Sequence, residues 1–169
     1  MNVLRGPLPL TADHEVEAFR CGDPVLDDWL RTRALRNQAE GASRTWVVLD
    51  GSRVVAFYAS STAVVLRSAA PGRAARNQPE PLPALLLGRL AVDQRHQGEG
   101  LGAALLKHFL LKALEVAELV GVRLLLVHAA NPEVAAFYEH HGFERSPLDP
   151  LTLLLLVQDL SAQSGPGSG

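Results

Sequence analysis

The chain has 169 residues, 47% hydrophobic and 20% charged, with a formal net charge of −2. This suits one α/β domain with a substantial core in water. A single cysteine, Cys21, excludes a disulfide framework or a cysteine-based metal site within one chain, and no apolar stretch approaches the roughly 20 residues of a membrane span.

Residues 1–10 lack the apolar core of a signal peptide, which together with the lone cysteine points to the cytoplasm. Asp23-Pro24 reads as a helix start, with Asp at the N-cap and Pro in the first turn. The helix is expected to run to about Glu40 and stop at Gly41, with Val25, Leu26, Trp29 and Leu30 facing inward. Residues 45–49 and 54–66 are β-rich and joined by Asp50-Gly51-Ser52-Arg53, a hairpin pattern. Residues 67–83 are rich in proline, carry Arg67, Arg73 and Arg76, and form a loop long enough to suspect function.

Residues 84–92 read as a strand, and an apolar helix is expected over about 100–120. The continuous apolar run 122–129 suits a central parallel strand. Asn131-Pro132 opens a helix that ends at His141-Gly142. Residues 143–145 and 152–159 are expected to close the sheet as an antiparallel pair. The order β-α-β-β-β-α-β-α-β fits a mixed α/β sheet with helices on both faces. A single domain over 1–160 and a flexible tail over 161–169 are expected, the latter from the Gly/Ser/Pro composition of its end.

The segment between the strand-like run 84–92 and its helix carries glycines at 98, 100 and 102. Glycines let a backbone approach an anion closely, and the free N–H groups of the following helix point at it. A Walker A loop is excluded, because Ala103-Ala104 follows where Lys-Ser or Lys-Thr is required. A Rossmann fingerprint is excluded too, because the spacing is G-x-G-x-G and no βαβ unit repeats.

The spacing Gln97-x-x-Gly100-x-Gly102 resembles the pyrophosphate loop of the GCN5-related N-acetyltransferases, the GNAT family. A second stretch, Asn131-Pro-Glu-Val-Ala-Ala-Phe137-Tyr138-Glu-His-His-Gly-Phe143, is similar to that family's N-x-x-A-x-x-F-Y-x-x-x-G-F pattern. The resemblance implies a GNAT fold: a central mixed, mostly antiparallel sheet with one splayed parallel pair. It implies an acetyl-CoA-dependent N-acetyltransferase with no metal. Acetyl-CoA would be held by Gln97, Gly98, Glu99, Gly100, Leu101, Gly102 and Ala103 at its pyrophosphate. Backbone groups of Leu90, Ala91 and Val92 would pair with the pantetheine arm as an added strand pairs with a sheet edge. Asn131 and Phe137 complete the implied cofactor set.

Tyr138 is the catalytic candidate, as a phenol that protonates the departing thiolate. Asp93, His96, His128 and Glu144 all lie near the motifs as possible general bases, and sequence does not choose among them. An α-amine acceptor, of pKa about 7.7–8.0, is partly neutral at pH 7 and would need a base less than a lysine would.

Over residues 8–160, three phrases look like the toxin branch of the family, the TacT/AtaT type. They are Phe19-x-x-Gly22-x-x-x-Leu26-Asp-x-Trp-Leu30, Gly41-x-Ser-Arg-Thr45 and Pro83-x-x-Leu-Leu-Gly-Arg89-Leu-Ala-Val-Asp93. That likeness implies the α-amine of aminoacyl-tRNA as acceptor, a ribbon-helix-helix antitoxin as partner, and a homodimer. The charge map is compatible: residues 1–30 carry −4, 31–95 carry +6 and 96–169 carry −4. The basic middle is all arginine, which suits bidentate contacts to phosphate. Arg73, Arg76 and Arg89 are the tRNA-contact candidates. The sequence pI near 6.3 is low for an RNA binder, so binding would rest on a local patch. The alternatives are a small-molecule or protein N-acetyltransferase of the same fold, and a non-enzymatic acyl-CoA-binding regulator.

Overall fold

The computed structural model describes residues 3–163. They form two compact units, one of residues up to 61 with 88–109, the other of residues 62–87 with 110 onward.

In the first unit, β1 (Leu4–Pro9) pairs antiparallel with β2 (Arg44–Asp50), and β2 with β3 (Arg53–Val65). The turn at Gly51, with φ of 63°, joins β2 and β3 as the Asp-Gly pair predicts. The helix expected over 24–40 breaks at Arg33 into α1 (Pro24–Thr32) and α2 (Ala34–Ala39). Asp23 caps α1 by accepting from Val25 N at 3.0 Å. Trp29 and Leu30 are buried, but Val25 is 75% exposed and points away from the core it was expected to join. Asp27 takes the inward position instead and accepts from Cys21 N at 2.9 Å. Trp29 stacks on Phe57, while the next residue of β3, Tyr58, meets Phe109 of α4 (Leu101–Ala117). Alternate residues of one strand thus pack α1 and α4 on opposite faces.

In the second unit, residues 84–87 of β4 (Leu82–Val92) and β5 (Leu124–His128) are the parallel pair. Their register runs from Ala84↔Leu124 to Leu87↔Val127 and goes no further, so β4 continues past the ladder through Gly88. β7 (Thr152–Leu156) lies antiparallel between β5 and the two-residue β6 (Glu144–Arg145). The strand order is β1-β2-β3-β4-β5-β7-β6, a mixed, mostly antiparallel sheet. Residues 67–83 hold a 3₁₀ turn, Arg67–Ala69, and the four-residue α3 (Gly72–Ala75). Their buried Ala70 and Ala74 cover Leu124, Leu126, Leu154 and Leu156. α5 (Pro132–His140) packs on β7.

The closing strand is shorter than expected. From Val157 the chain turns into α6 (Val157–Gln163), so residues 161–163 of the expected tail are helical and 164–169 lie outside the described residues. β7 pairs along its length with β5 and, at Leu153 and Leu154, with β6. No helix among the described residues is long and apolar enough to cross a membrane.

Candidate active site

β4 ends at Val92, and Asp93 turns the chain. Asp93 is 1% exposed, yet both its oxygens are used. Oδ1 accepts from Arg95 N at 2.9 Å and Arg95 Nε at 3.0 Å; Oδ2 accepts from Arg20 N at 3.1 Å and Arg95 Nη2 at 3.2 Å. Burial alone would raise its pKa, but the Arg95 side chain, the two backbone N–H groups and the Arg95 charge outweigh it and hold the carboxyl at about 2. Asp93 is a fixed anion that shapes the turn. It has no lone pair to spare for a proton at neutral pH.

Because its folded pKa lies below the ordinary 3.8, Asp93 stabilises the fold above about pH 4, and that contribution is lost as pH falls through about 2. The shift corresponds to about 2 kcal/mol. Asp93→Asn is therefore expected to be less stable by at least that much at pH 7, and to lack that portion of the acid limb in circular-dichroism unfolding. Equal acid limbs for the two proteins would show that Asp93 is not the titrating group.

The loop itself is braced from outside. Gln97 Nε2 donates to the carbonyls of Cys21 and Val92, both at 3.0 Å. The side chain expected at the pyrophosphate thus ties the loop to the end of β4 and to the segment leading into α1. Glu99 is exposed and its carboxylate meets His96 Nδ1 at 3.1 Å. Gly98 and Gly100 have φ of 84° and 82°, a region L-residues rarely adopt. A Cβ built at either meets nothing within 4 Å, so the backbone is open to a ligand there. The first bond of α4 is Ala104 N to Gly100 O at 3.1 Å. The amides of Leu101, Gly102 and Ala103 precede it and carry the orphan donors and positive dipole end of a 17-residue helix. Donors, open space and dipole fit a pyrophosphate.

The second motif stands on α5. Asn131 Oδ1 accepts from Val134 N at 2.9 Å, so its side chain caps the helix. Phe137 is half-buried, with its ring 5.2 Å from that of Tyr138 and 4.8 Å from His141. Tyr138 is 5% exposed and meets Phe143 edge-to-face at 5.5 Å. Burial pushes its phenol pKa up, so the proton stays on it at working pH.

The acetyltransferase (GNAT) domain model matches residues 41–145. The chain belongs to the GNAT acetyltransferase family.

Within the family, it is 45% identical to a protein of Mycobacterium tuberculosis named tRNA-acetylating toxin, over 98% of this chain and 99% of that one. Its fold is that of AtaT complexed with acetyl-methionyl-tRNAfMet, with a TM-score of 0.87 at 24% identity, covering 96% and 99% of the two chains. It also matches a mutant AtaT toxin bound to the C-terminus of the antitoxin AtaR and acetyl-CoA, with a TM-score of 0.79 at 23% identity, covering 96% and 97%.

The arginines of this GNAT chain differ in what they have to offer. Arg89 leaves β4 one residue before Leu90, and its guanidinium lies 4.2 Å over the Trp29 ring. It is half-buried, and burial lowers its pKa from the usual value without removing its charge. Arg73 is answered by Asp159 at 2.5 Å and Glu144 at 3.4 Å. Its charge is matched twice within its own unit, which makes it a poorer phosphate contact than its position in a basic segment implies. Arg76 is exposed at the end of α3, beside the Arg67–Glu80 pair at 2.8 Å. Leu90 and Val92 are half-buried, and Ala91 packs in the core beneath α1.

Proposed function

We propose that this acetyltransferase moves the acetyl group of acetyl-CoA to the α-amine of aminoacyl-tRNA, as the toxin of a toxin–antitoxin pair. The observation that carries the reading is the near end-to-end similarity to the mycobacterial tRNA-acetylating toxin. In this reading the amides of residues 98–103 bind the pyrophosphate, and Leu90 to Val92 offer strand-edge groups to the pantetheine arm. Asn131 and Gln97 act by holding α5 and the loop in place. Phe137 and Phe143 seat the Tyr138 ring, and Tyr138 gives its proton to the sulfur as the C–S bond breaks. Arg89, held flat on Trp29, is the cation best prepared for the acceptor end of the tRNA. Arg76 extends the basic surface, and Arg73 contributes only by exchanging its carboxylates for phosphate.

The partner in this reading is a ribbon-helix-helix antitoxin, the assembly a homodimer and the compartment the cytoplasm. The test is incubation of the purified chain with labelled acetyl-CoA and bulk charged tRNA. Label is expected on a subset of aminoacyl-tRNAs, and induction of the gene is expected to arrest growth unless Tyr138→Phe is present. Label on no aminoacyl-tRNA would overturn the tRNA reading and leave an acetyltransferase of small amines or proteins.

A further inference from the structure

A guanidinium drawn out of water needs a carboxylate, or other acceptors for its N–H groups. The half-buried arginines Arg31, Arg53 and Arg123 all have them. Arg31 donates to Asp28 and to the carbonyl of Phe19, Arg53 to Asp50, and Arg123 to the carbonyl of Ala74 and to Gln158. Arg89 is half-buried too, yet it donates to no acceptor among the described residues. Burial lowers its pKa, and no carboxylate offsets that.

What holds Arg89 is a ring. Its guanidinium carbon lies over Trp29, 4.2 Å from the ring centroid. A contact with a ring face uses none of the N–H donors, so the whole fork stays available to an anion. Trp29 is 8% exposed and stacks in turn on Phe57, with centroids 6.0 Å and planes 12° apart. Phe57 is fully buried and meets Phe19 edge-on at 5.4 Å. The platform under Arg89 is therefore part of the packed core, which fixes the ring on which the guanidinium lies.

Strand alternation separates Arg89 from the glycine loop, all within the first unit. Successive residues of β4 point to opposite faces. Leu90 turns toward the loop, where its Cδ2 stands 3.9 Å from a Cβ built on Gly102. Ala91, on the same face as Arg89, packs in the cluster that holds Trp29. The fork thus stands on the face of β4 opposite Gly102, which favours a phosphate of the second substrate over those of the coenzyme. An acceptor that covered Arg89 without supplying an anion would bury its charge unpaired, at a cost. We propose that Arg89 on Trp29 is a phosphate site that selects acceptors carrying a nucleic-acid phosphate at this point. Trp29 is a positioning residue and acts only through Arg89. The inference rests on the reading of the acceptor as tRNA.

The test is the affinity of the full chain for bulk uncharged tRNA, read by filter binding over a range of salt, beside its affinity for acetyl-CoA by calorimetry. Arg89→Gln is expected to weaken tRNA binding about 10–100-fold and to flatten the slope of log K against log salt by about one. A loss of acetyl-CoA affinity in its place would assign the phosphate to the coenzyme and overturn the proposal. Arg89→Lys keeps the charge without the fork, so the parental slope with a loss of about threefold to tenfold is expected. Trp29→Met is expected to behave like Arg89→Lys, and Trp29→Phe to restore binding. Trp29→Met combined with Arg89→Gln should bind no more weakly than Arg89→Gln alone. Additive losses would remove Trp29 from this role. If Trp29→Met does not fold, Arg89→Lys decides, since parental affinity there would mean that neither fork nor platform matters. Parental affinity and slope in Arg89→Gln, or no tRNA binding by the parent, would overturn the site. A parent that binds tRNA through Arg89 yet acetylates no charged tRNA would overturn the reading of the acceptor and leave the site standing.

Discussion

Tyr138→Phe is expected to bind acetyl-CoA as the parent does and to turn over about 10²–10⁴-fold more slowly at saturating substrates. The substitution keeps the ring, so the edge-to-face contacts with Phe137 and Phe143 survive and the melting temperature should hardly move. What is lost is the proton for the leaving thiolate, which with an ordinary pKa of about 8.5 ends as the neutral thiol at pH 7 and gains from being protonated as the C–S bond breaks. Burial raises the Tyr138 pKa, and the sign of that shift matters. A raised phenol pKa keeps the acid loaded, so parent activity should show no alkaline fall below about pH 9 from loss of this proton. It also makes transfer to sulfur uphill, unless the phenol regains a proton from the amine nitrogen as bond cleavage proceeds. Near-parental kcat in Tyr138→Phe, with unchanged acetyl-CoA affinity by calorimetry, would remove Tyr138 from the chemistry.

The second large effect is expected at Gly100. With φ of 82°, a β-branched residue there is strained by about 1–2 kcal/mol, and nothing within 4 Å in the protein would collide with its Cβ. In the proposed binding mode this open space is where the pyrophosphate sits. Gly100→Val is expected to displace the ligand from the first amides of α4. Losing two charge-assisted hydrogen bonds at about 1.5 kcal/mol each costs about 3 kcal/mol, or about 100-fold in Kd for acetyl-CoA. Gly102 makes the contrast. Its φ is not positive, and a Cβ there would stand 3.9 Å from Leu90 Cδ2, an ordinary contact. Gly102→Ala should bind acetyl-CoA within a few fold of the parent. Similar affinities for Gly100→Val and Gly102→Ala would mean that the loop does not cradle the pyrophosphate.

Much of the fold was legible because its signals are local. Asp23 and Asn131 cap the helices they announce, and the Asp50-Gly51 pair makes the turn it favours. The failures are where tertiary packing overrode a local pattern. Val25 matched the apolar face of α1 but points outward, while Asp27 is buried beside Trp29 and Leu30 and accepts from Cys21 N. The run from 152 to 159 reads as one strand, yet from Val157 it is α6, and Asp159 thereby reaches Arg73.

By itself the sequence determined the glycine turn at 98 and 100, the helix that follows it and the placement of Tyr138 before a closing Gly-Phe. Glycine conformations, caps and periodicity are properties of a few neighbouring residues. Only the tertiary structure decided what each charged or polar side chain is free to do. Gln97 is bound to Cys21 and Val92, Asp93 is locked by Arg95 and Arg20, and Arg73 is matched by Asp159 and Glu144. Arg89 lies against Trp29, and His128 is turned by Thr152 and Asp149. Most of those partners lie 20 or more residues away along the chain. Electrostatic and hydrogen-bond satisfaction act through space, so these assignments follow from strand register and loop packing, which no local pattern encodes.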